Sequence, residues 1–438
     1  MPSPRSMLRW FAGVSLLLLV SLSPAGAEES LRDRLKDEHA FGSDWWIYND
    51  MAEALAAARE QNKPLFVTFR CVPCEDCKAF DAEVASGSDV IAKLASEKFI
   101  PIRQVEMKGV DLSQFQFDYD LNWAAMFINA DGTVYARYGT QSAEGADAYN
   151  SIAGLKTTME RVLELHANYP GNADQLKDKR GADKPYRTAL EMPGLRNKDR
   201  YRQLTSRANC VHCHNIHDAE NFELQKSDDF SHAMLWRYPL PDNIGLKIDA
   251  KNGRQIREVV AGSPAAAAGL EPGEEVLLMN GQAITSIADM QWVLHNLPHE
   301  ETEVRVTGSR SGEKVLALKT GWKKSDISWR GSLWSLSPLL RVWTPAIEEE
   351  KRAELGLEDG AGAFEARWIN NGQPGGKAAL KGGLRKGDII VAIDGKPLPE
   401  TTPHFQLHIK MNYKVGDQLP LTVIRNGKRR ELRIPLVE

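Results

Sequence analysis

The sequence predicts a multidomain α+β chain, and three observations carry that prediction. Its 438 residues exceed what one hydrophobic core organises, so several domains are expected. A β-rich run at 65–69 (LFVTF) passes through a cysteine-rich turn into a helical pattern at 78–84. A series of short strands punctuated by Gly and Pro begins near residue 241 and returns near 355, a repeat of about ninety residues.

Residues 1–27 read as a processing segment. Arg5 and Arg9 form a positive start, 10–22 are apolar but short for a span, and Ala25-Gly26-Ala27 is a small-residue cleavage site. The expectation is a cleavable signal peptide and a periplasmic or secreted protein. No later stretch is long and apolar enough to span a membrane. The 55 basic and 59 acidic residues leave a net charge of −4, which argues against a nucleic-acid surface. A charged leader, 28–44, follows. The five cysteines fall in two clusters, Cys71/Cys74/Cys77 and Cys210/Cys213, a pattern of chemistry rather than of long-range staples.

Residues 45–168 form the first expected domain. An alanine-rich helix at 51–61 ends at Lys63-Pro64, and the strand 65–69 leads into Arg70-Cys71-Val72-Pro73-Cys74-Glu75-Asp76-Cys77. A helix N-terminus stabilises a thiolate through its dipole and unpaired N–H groups, so thiol chemistry belongs at this turn. The segment resembles the thioredoxin superfamily, with 125–138 as that family's antiparallel hairpin and Asp131-Gly132 as its turn. The resemblance implies a thioredoxin-like α/β domain whose redox pair is Cys74 and Cys77, a thiol-disulfide oxidoreductase activity and a redox partner protein. Cys71 is an accessory thiol. The sequence departs from the family in three places. No proline stands near Trp123-Ala124, where the family has a cis-proline. Thr68 occupies the position of its buried acid. Glu75 and Asp76 lie between the paired thiols and oppose thiolate formation. A triplet of thiolates also suits a soft metal, copper(I) or zinc, and that alternative stands beside the redox one.

Residues 169–239 combine a linker, 170–200, with a polar helix expected at 198–209 and then Cys210-Val211-His212-Cys213-His214. This spacing puts two thiols and an imidazole on one face of a helical turn. The motif resembles the c-type cytochromes. That resemblance implies a small helical module with covalent haem c, with Cys210 and Cys213 as thioether residues and His214 as the proximal iron ligand. Met234 or His232 is the candidate distal ligand. Tyr201, Leu204, Phe222, Leu235 and Trp236 would pack around the group. Cys-x-x-Cys can also be half of a zinc site, which His212, His217 and His232 are near enough in sequence to complete, and that alternative stands behind the haem reading.

From residue 240 the character changes. Ile244-Gly245-Leu246, Ser263-Pro264-Ala265, Pro272-Gly273 and Asn280-Gly281 recur as Leu355-Gly356-Leu357, 378–384, Lys386-Gly387-Asp388 and Asp394-Gly395. Both series resemble bacterial PDZ domains, at 240–322 and 346–438, separated by a Trp-rich joint at 323–345. PDZ domains are β-barrel-like, and the resemblance implies that a protein or peptide C-terminus adds a strand beside the glycine-containing loop. The expected loops are Ile244, Gly245, Leu246 and Leu355, Gly356, Leu357. One of the two repeats is expected to brace its neighbours rather than bind. The joint's tryptophans are expected to pack between domains. Exported PDZ pairs often accompany serine proteases, but no Gly-x-Ser-Gly-Gly segment is present. The modules together suggest a periplasmic redox and electron-transfer adaptor. The alternative is a non-enzymatic scaffold for copper capture or cofactor assembly. A dithiol yields two electrons where one haem accepts one, so the first reading needs either separate partners or two turnovers.

Overall fold

The computed structural model describes residues 29–40, 45–72, 78–86, 89–227, 230–357 and 360–438. The signal segment 1–27 and the Cys74/Cys77 pair lie outside the described residues.

Helix α1 (Leu31–Leu35) precedes a five-stranded sheet. The sheet's elements are β1 (Ile47–Tyr48), α2 (Met51–Gln61), β2 (Leu65–Arg70), α3 (Lys78–Ala85), α4 (Asp89–Lys98), β3 (Ile100–Gln104), β4 (Trp123–Ile128), β5 (Val134–Tyr138) and α5 (Ile152–Ala167). Strand order is β1-β3-β2-β4-β5, with β1, β3 and β2 parallel and β4 and β5 antiparallel. The apolar run of β2 is buried throughout because helices cover both faces, as continuous apolar strands require. Its side chains alternate. Leu65, Val67 and Phe69 meet Ala54 and Ala58 of α2, while Phe66 meets Phe99, Phe127 and Leu155 on the other face. Asp131 accepts from Thr133 N within the β4–β5 turn, and Gly132 there has φ +92°.

Residues 169–239 do not form a separate helical module. Only α6 (Lys198–Tyr201) occupies the expected helix 198–209. Asn209 Oδ1 accepts from Ser206 N at 2.6 Å, and such side-chain turns compete with helical hydrogen bonding. Helix α7 (His214–Leu224) begins only at the last residue of the Cys-x-x-Cys-His motif. Val211, Cys213, Ile216 and Ala219 join the core beneath α2 and β2, so this segment covers the first unit. The expected packing set disperses. Tyr201 touches that core, Leu204 is exposed, and Leu235 and Trp236 join Leu333 and Leu336 near the second repeat.

The first repeat contains β6 (Leu246–Ile248), β7 (Ile256–Val259), α8 (Pro264–Ala267), β8 (Val276–Met279), β9 (Gln282–Ala283), α9 (Ile287–His295), β10 (Thr302–Gly308) and β11 (Gly312–Leu318). Ser263 and Ser286 cap α8 and α9 by accepting from Ala266 N and Asp289 N. The second repeat follows with β12 (Val342–Trp343), α10 (Glu349–Glu354), β13 (Phe364–Glu365), β14 (Trp368–Ile369), α11 (Pro374–Lys381), β15 (Ile389–Ile393), β16 (Lys396–Pro397), α12 (Thr402–Asn412), β17 (Gln418–Arg425) and β18 (Lys428–Pro435). Each repeat has a two-stranded edge, β6-β7 or β12-β14, beside a larger antiparallel sheet. The joint's tryptophans divide. Trp329 packs on the core of the first unit, as Trp322 just before the joint packs on the first repeat, while Trp334 and Trp343 are 68% and 55% exposed.

Candidate functional site

Cys71, the described member of the first cysteine cluster, meets the segment of the second, 139 residues on in sequence, at the C-terminal end of β2. Cys71 follows the last residue of that strand, and its Sγ lies 2.5 Å from His212 Nδ1. That separation puts the sulfur and the imidazole in direct polar contact. Residues 210–212 are held there by the loop after β3. Met107 N donates to Val211 O, Val211 N donates to Glu106 Oε1 at 3.1 Å, and the Cys210 thiol faces Val105 O at 3.6 Å. Burial lowers the His212 pKa, helped by the charges of His214 and Arg200, to about 4. A neutral imidazole therefore faces Cys71. Burial also pushes the Cys210 thiol far up, reinforced by Glu106, Cys71 and Cys213, so Cys210 is not a thiolate in this arrangement.

The haem reading requires Cys210, Cys213 and His214 to share one open face. The structure leaves them no such face. The two thiol residues are 2% and 7% exposed and point into protein. The His214 side chain is 41% exposed, with Nδ1 3.3 Å from Asp218 Oδ2 and its ring against Gly331. Burial opposes protonation of His214, but Asp218 outweighs it and the pKa is raised. A cavity of about 660 Å³ beside α7, lined by Tyr119, His217, Glu220, Arg237, Tyr238 and His295 among others, reaches none of the three motif residues. His232 Nε2 sits on Lys410 O at 3.0 Å, and Met234 shares its short turn against the second repeat. The residues present do not fit a covalent haem in this arrangement, because the thioether positions are already packed against the loop after β3 and the core.

Other residues of the site carry no motif of their own. Asp81 on α3 supplies the buried acid that Thr68 does not; it accepts from Arg103 at 2.9 Å and pairs with Arg70 at 3.0 Å. Thr68 instead donates to Ile102 O. Asp118, Asp120 and His217 converge with the ligand set of a cation site, but Arg330 already fills it, with Nη1 2.8 and 3.1 Å from the two carboxylates. Only the Asp-x-Asp spacing hinted at this cluster.

The two repeats differ in what surrounds their helices. In the first, α9 is buried from Ile287 to Leu294 against the first unit. Ser286 donates to Arg137 O, Arg137 N donates to Asp289, Lys179 Nζ lies 2.8 Å from Asp289, and the Arg137 guanidinium stacks 3.7 Å from the Trp292 ring. Ile244, Gly245 and Leu246 stand at the head of β6, beside a helix committed to this internal contact.

In the second repeat the sequence parallel falls on the wrong residues. Leu355, Gly356 and Leu357 close α10, and the two leucines pack on Ala363, Ile389, Val391 and Ile424. Gly356, at φ +63°, ends a helix rather than shaping a peptide loop. The counterpart of Ile244-Gly245-Leu246 is Leu340-Arg341-Val342. Gly245 (φ +90°) and Arg341 (φ +52°) share the left-handed conformation, and their carbonyls accept from Val260 N and Asn370 N respectively. Helix α10, inserted after β12, displaced the match. The groove between this loop and α12 is open, with a volume of about 370 Å³.

Family models match at three places: a thioredoxin-like model over residues 46–130 and PDZ domain models over 234–307 and 369–436. The chain joins one thioredoxin-like domain to two PDZ domains. Among curated relatives, a probable periplasmic serine endoprotease DegP-like of Pseudomonas putida (strain F1) is 35% identical over 98 residues, 22% of this chain and 19% of that protein. A protein of the same description from Marinomonas sp. (strain MWYL1) is 27% identical over 199 residues, 43% and 38% of the two chains. The periplasmic pH-dependent serine endoprotease DegQ of Escherichia coli (strain K12) is 26% identical over 151 residues, 34% and 30%. The chain thus spans less than two fifths of these relatives' lengths. A solved HtrA-type protease AlgW with decapeptide is 17% identical, covering 32% of this chain and 51% of that one at a TM-score of 0.18, too low to argue from. Among the described residues no helix is long and apolar enough to cross a membrane.

Proposed function

We propose that the protein is an exported thiol-redox adaptor that performs two-electron dithiol–disulfide exchange on a client docked by its second PDZ domain. The observation that supports this reading is the contact of Cys71, at the end of β2 where the cysteine turn begins, with His212 of the second cysteine motif. Export is supported by the signal-like segment 1–27 and by relatives named as periplasmic. In the exchange, one protein thiolate attacks a client disulfide and one client sulfur leaves as a thiolate that takes up a proton. A second protein thiol then displaces the other client sulfur, leaving one protein disulfide and two client thiols. Cys74 and Cys77 are the proposed exchanging pair, with Cys71 accessory to them. The chemistry needs no one-electron carrier, so the mismatch between a dithiol and a single haem does not arise.

Thiol trapping of the full-length protein tests this. The expected result is a Cys74–Cys77 disulfide that dithiothreitol opens reversibly, and catalysed reduction of an insulin disulfide that falls to the uncatalysed background in Cys74→Ser. Cys71→Ser is expected to retain most of that activity. A pair locked in one state overturns the proposal, as does haem that stays with the denatured polypeptide. A second reading, copper capture, is favoured by the same sulfur–imidazole contact, a donor pair suited to Cu(I). It predicts stoichiometric Cu(I) binding that is lost in Cys71→Ser.

A further inference from the structure

The groove of the second PDZ domain holds a buried lysine, Lys410, and an arginine, Arg341, for which the described residues provide no carboxylate partner; burial, with the charge of Arg341, lowers the Lys410 pKa to about 7, so a carboxylate brought beside it would favour its charged form. Its α12 wall presents Pro403, Gln406, Leu407 and Lys410, the i, i+3, i+4, i+7 face of one helix. Lys410 is 5% exposed. Its Nζ donates to Leu336 O at 2.7 Å, a neutral acceptor. Arg341 lines the same groove from the loop before β12, close enough for its charge to act on Lys410. Among the described residues, no carboxylate pairs with either side chain. Buried cations ordinarily have such a partner, because desolvation without one is costly.

The backbone at Arg341 adds an independent sign. The residue sits at φ +52°, where its counterpart in the first repeat is Gly245. A branched-free but long side chain in the left-handed region costs roughly 1 kcal/mol, and such strain collects at ligand-holding positions. Around this cationic end the groove is apolar. Trp334, Trp343 and Trp368 line it and are 68%, 55% and 55% exposed. Exposed tryptophans gathered on one concave surface mark a binding face.

We infer that this groove selects partner proteins whose last residue is Asp or Glu, preceded by apolar residues that lie along the tryptophans. Such a tail brings two carboxylates to the cationic end, one from its terminus and one from its last side chain. The inference rests on the peptide-recognition reading of the second PDZ domain and deepens it by naming the tail.

The test uses the full-length chain and fluorescein-labelled decapeptides identical except for a final Glu, Gln or Leu, read by fluorescence anisotropy. The Glu peptide is expected to bind about tenfold tighter than the Gln and Leu peptides, an advantage that shrinks as salt is raised. Lys410→Met, which removes a buried amine at similar volume, and Arg341→Gly, which suits the left-handed backbone, are both expected to keep the fold. Each is expected to bring the Glu peptide to within about twofold of the Gln peptide. Equal or weaker binding of the Glu peptide overturns the acidic-tail inference alone and leaves peptide recognition standing. Failure of all three peptides to bind overturns the recognition reading and the inference with it.

Discussion

Replacing Arg330 with methionine is expected to destabilise the protein by about 3–5 kcal/mol, the range for removing one partner of a buried ion cluster. Arg330 is 3% exposed and meets Asp118 and Asp120 with one guanidinium nitrogen. The other donates to Arg237 O at 2.5 Å. Burial alone would raise the Asp120 pKa, but His217, Arg330 and the amide of Ser332 outweigh it and hold the carboxyl ionised. Without Arg330, two carboxylates share one imidazole in a site closed to water. The contact joins the loop before β4 to the joint between the PDZ domains, more than 200 residues on. Its loss should therefore separate the unfolding of the two regions as well as lower the first transition, which calorimetry resolves. The sign with pH is fixed by Asp120. Its folded pKa is depressed, so its contribution is present above the ordinary carboxylate range and is lost as pH falls through that range and below it. The gap between wild type and Arg330→Met should close in acid.

The contrast between local and distant contacts explains how much of this was legible in the sequence. The β4–β5 hairpin could be read because Asp131-Gly132 sets a turn between apolar runs, and each PDZ domain could be read because its Gly-Pro-Ala series is contiguous. Residues 170–200 lack periodicity and are indeed mostly irregular, yet Lys179 within them is buried against Asp289 of α9. Nothing local announces a pairing across 110 residues. The Cys-x-x-Cys-His spacing permits more than one chemistry, and it is the Val105–Met107 backbone, distant in sequence, that turns Cys210 inward. Leu-Gly-Leu at 355–357 misled for a related reason. The triplet matched, but the property that matters is a left-handed residue at the head of the groove strand, and in the second repeat an arginine takes that conformation. The expectation that one repeat braces its neighbours agrees with the burial of α9, though the sequence did not say which repeat it would be.

Asp81→Asn is the second substitution expected to cost several kcal/mol, about 3–5 by the same reasoning, and it bears directly on the thiol turn. Asp81 is fully buried in the first turn of α3, the helix that follows the cysteine triplet. It accepts two hydrogen bonds from Arg103 at 2.9 Å, pairs with His39 at 2.8 Å and with Arg70 at 3.0 Å, and accepts from Trp123 Nε1 at 3.2 Å. It therefore ties α3 to β3, to β4 and to the last residue of β2, all of which frame the turn. Burial pushes its pKa up, but the Arg103 guanidinium, with His39 and Arg70, brings it below the ordinary carboxylate range. Asparagine keeps the shape and removes the charge, leaving Arg103 to Asp37 alone. The stability lost should be greatest at neutral pH and should begin to shrink once pH falls below the ordinary carboxylate range, the sign expected of a depressed folded pKa. Denaturant titrations at pH 7 and pH 3 measure it. A loss of the same size at both pH values would show that Asp81 acts by shape rather than charge. Loss at neutral pH with faster maleimide labelling of the cysteine turn would show that this carboxylate holds the turn in place.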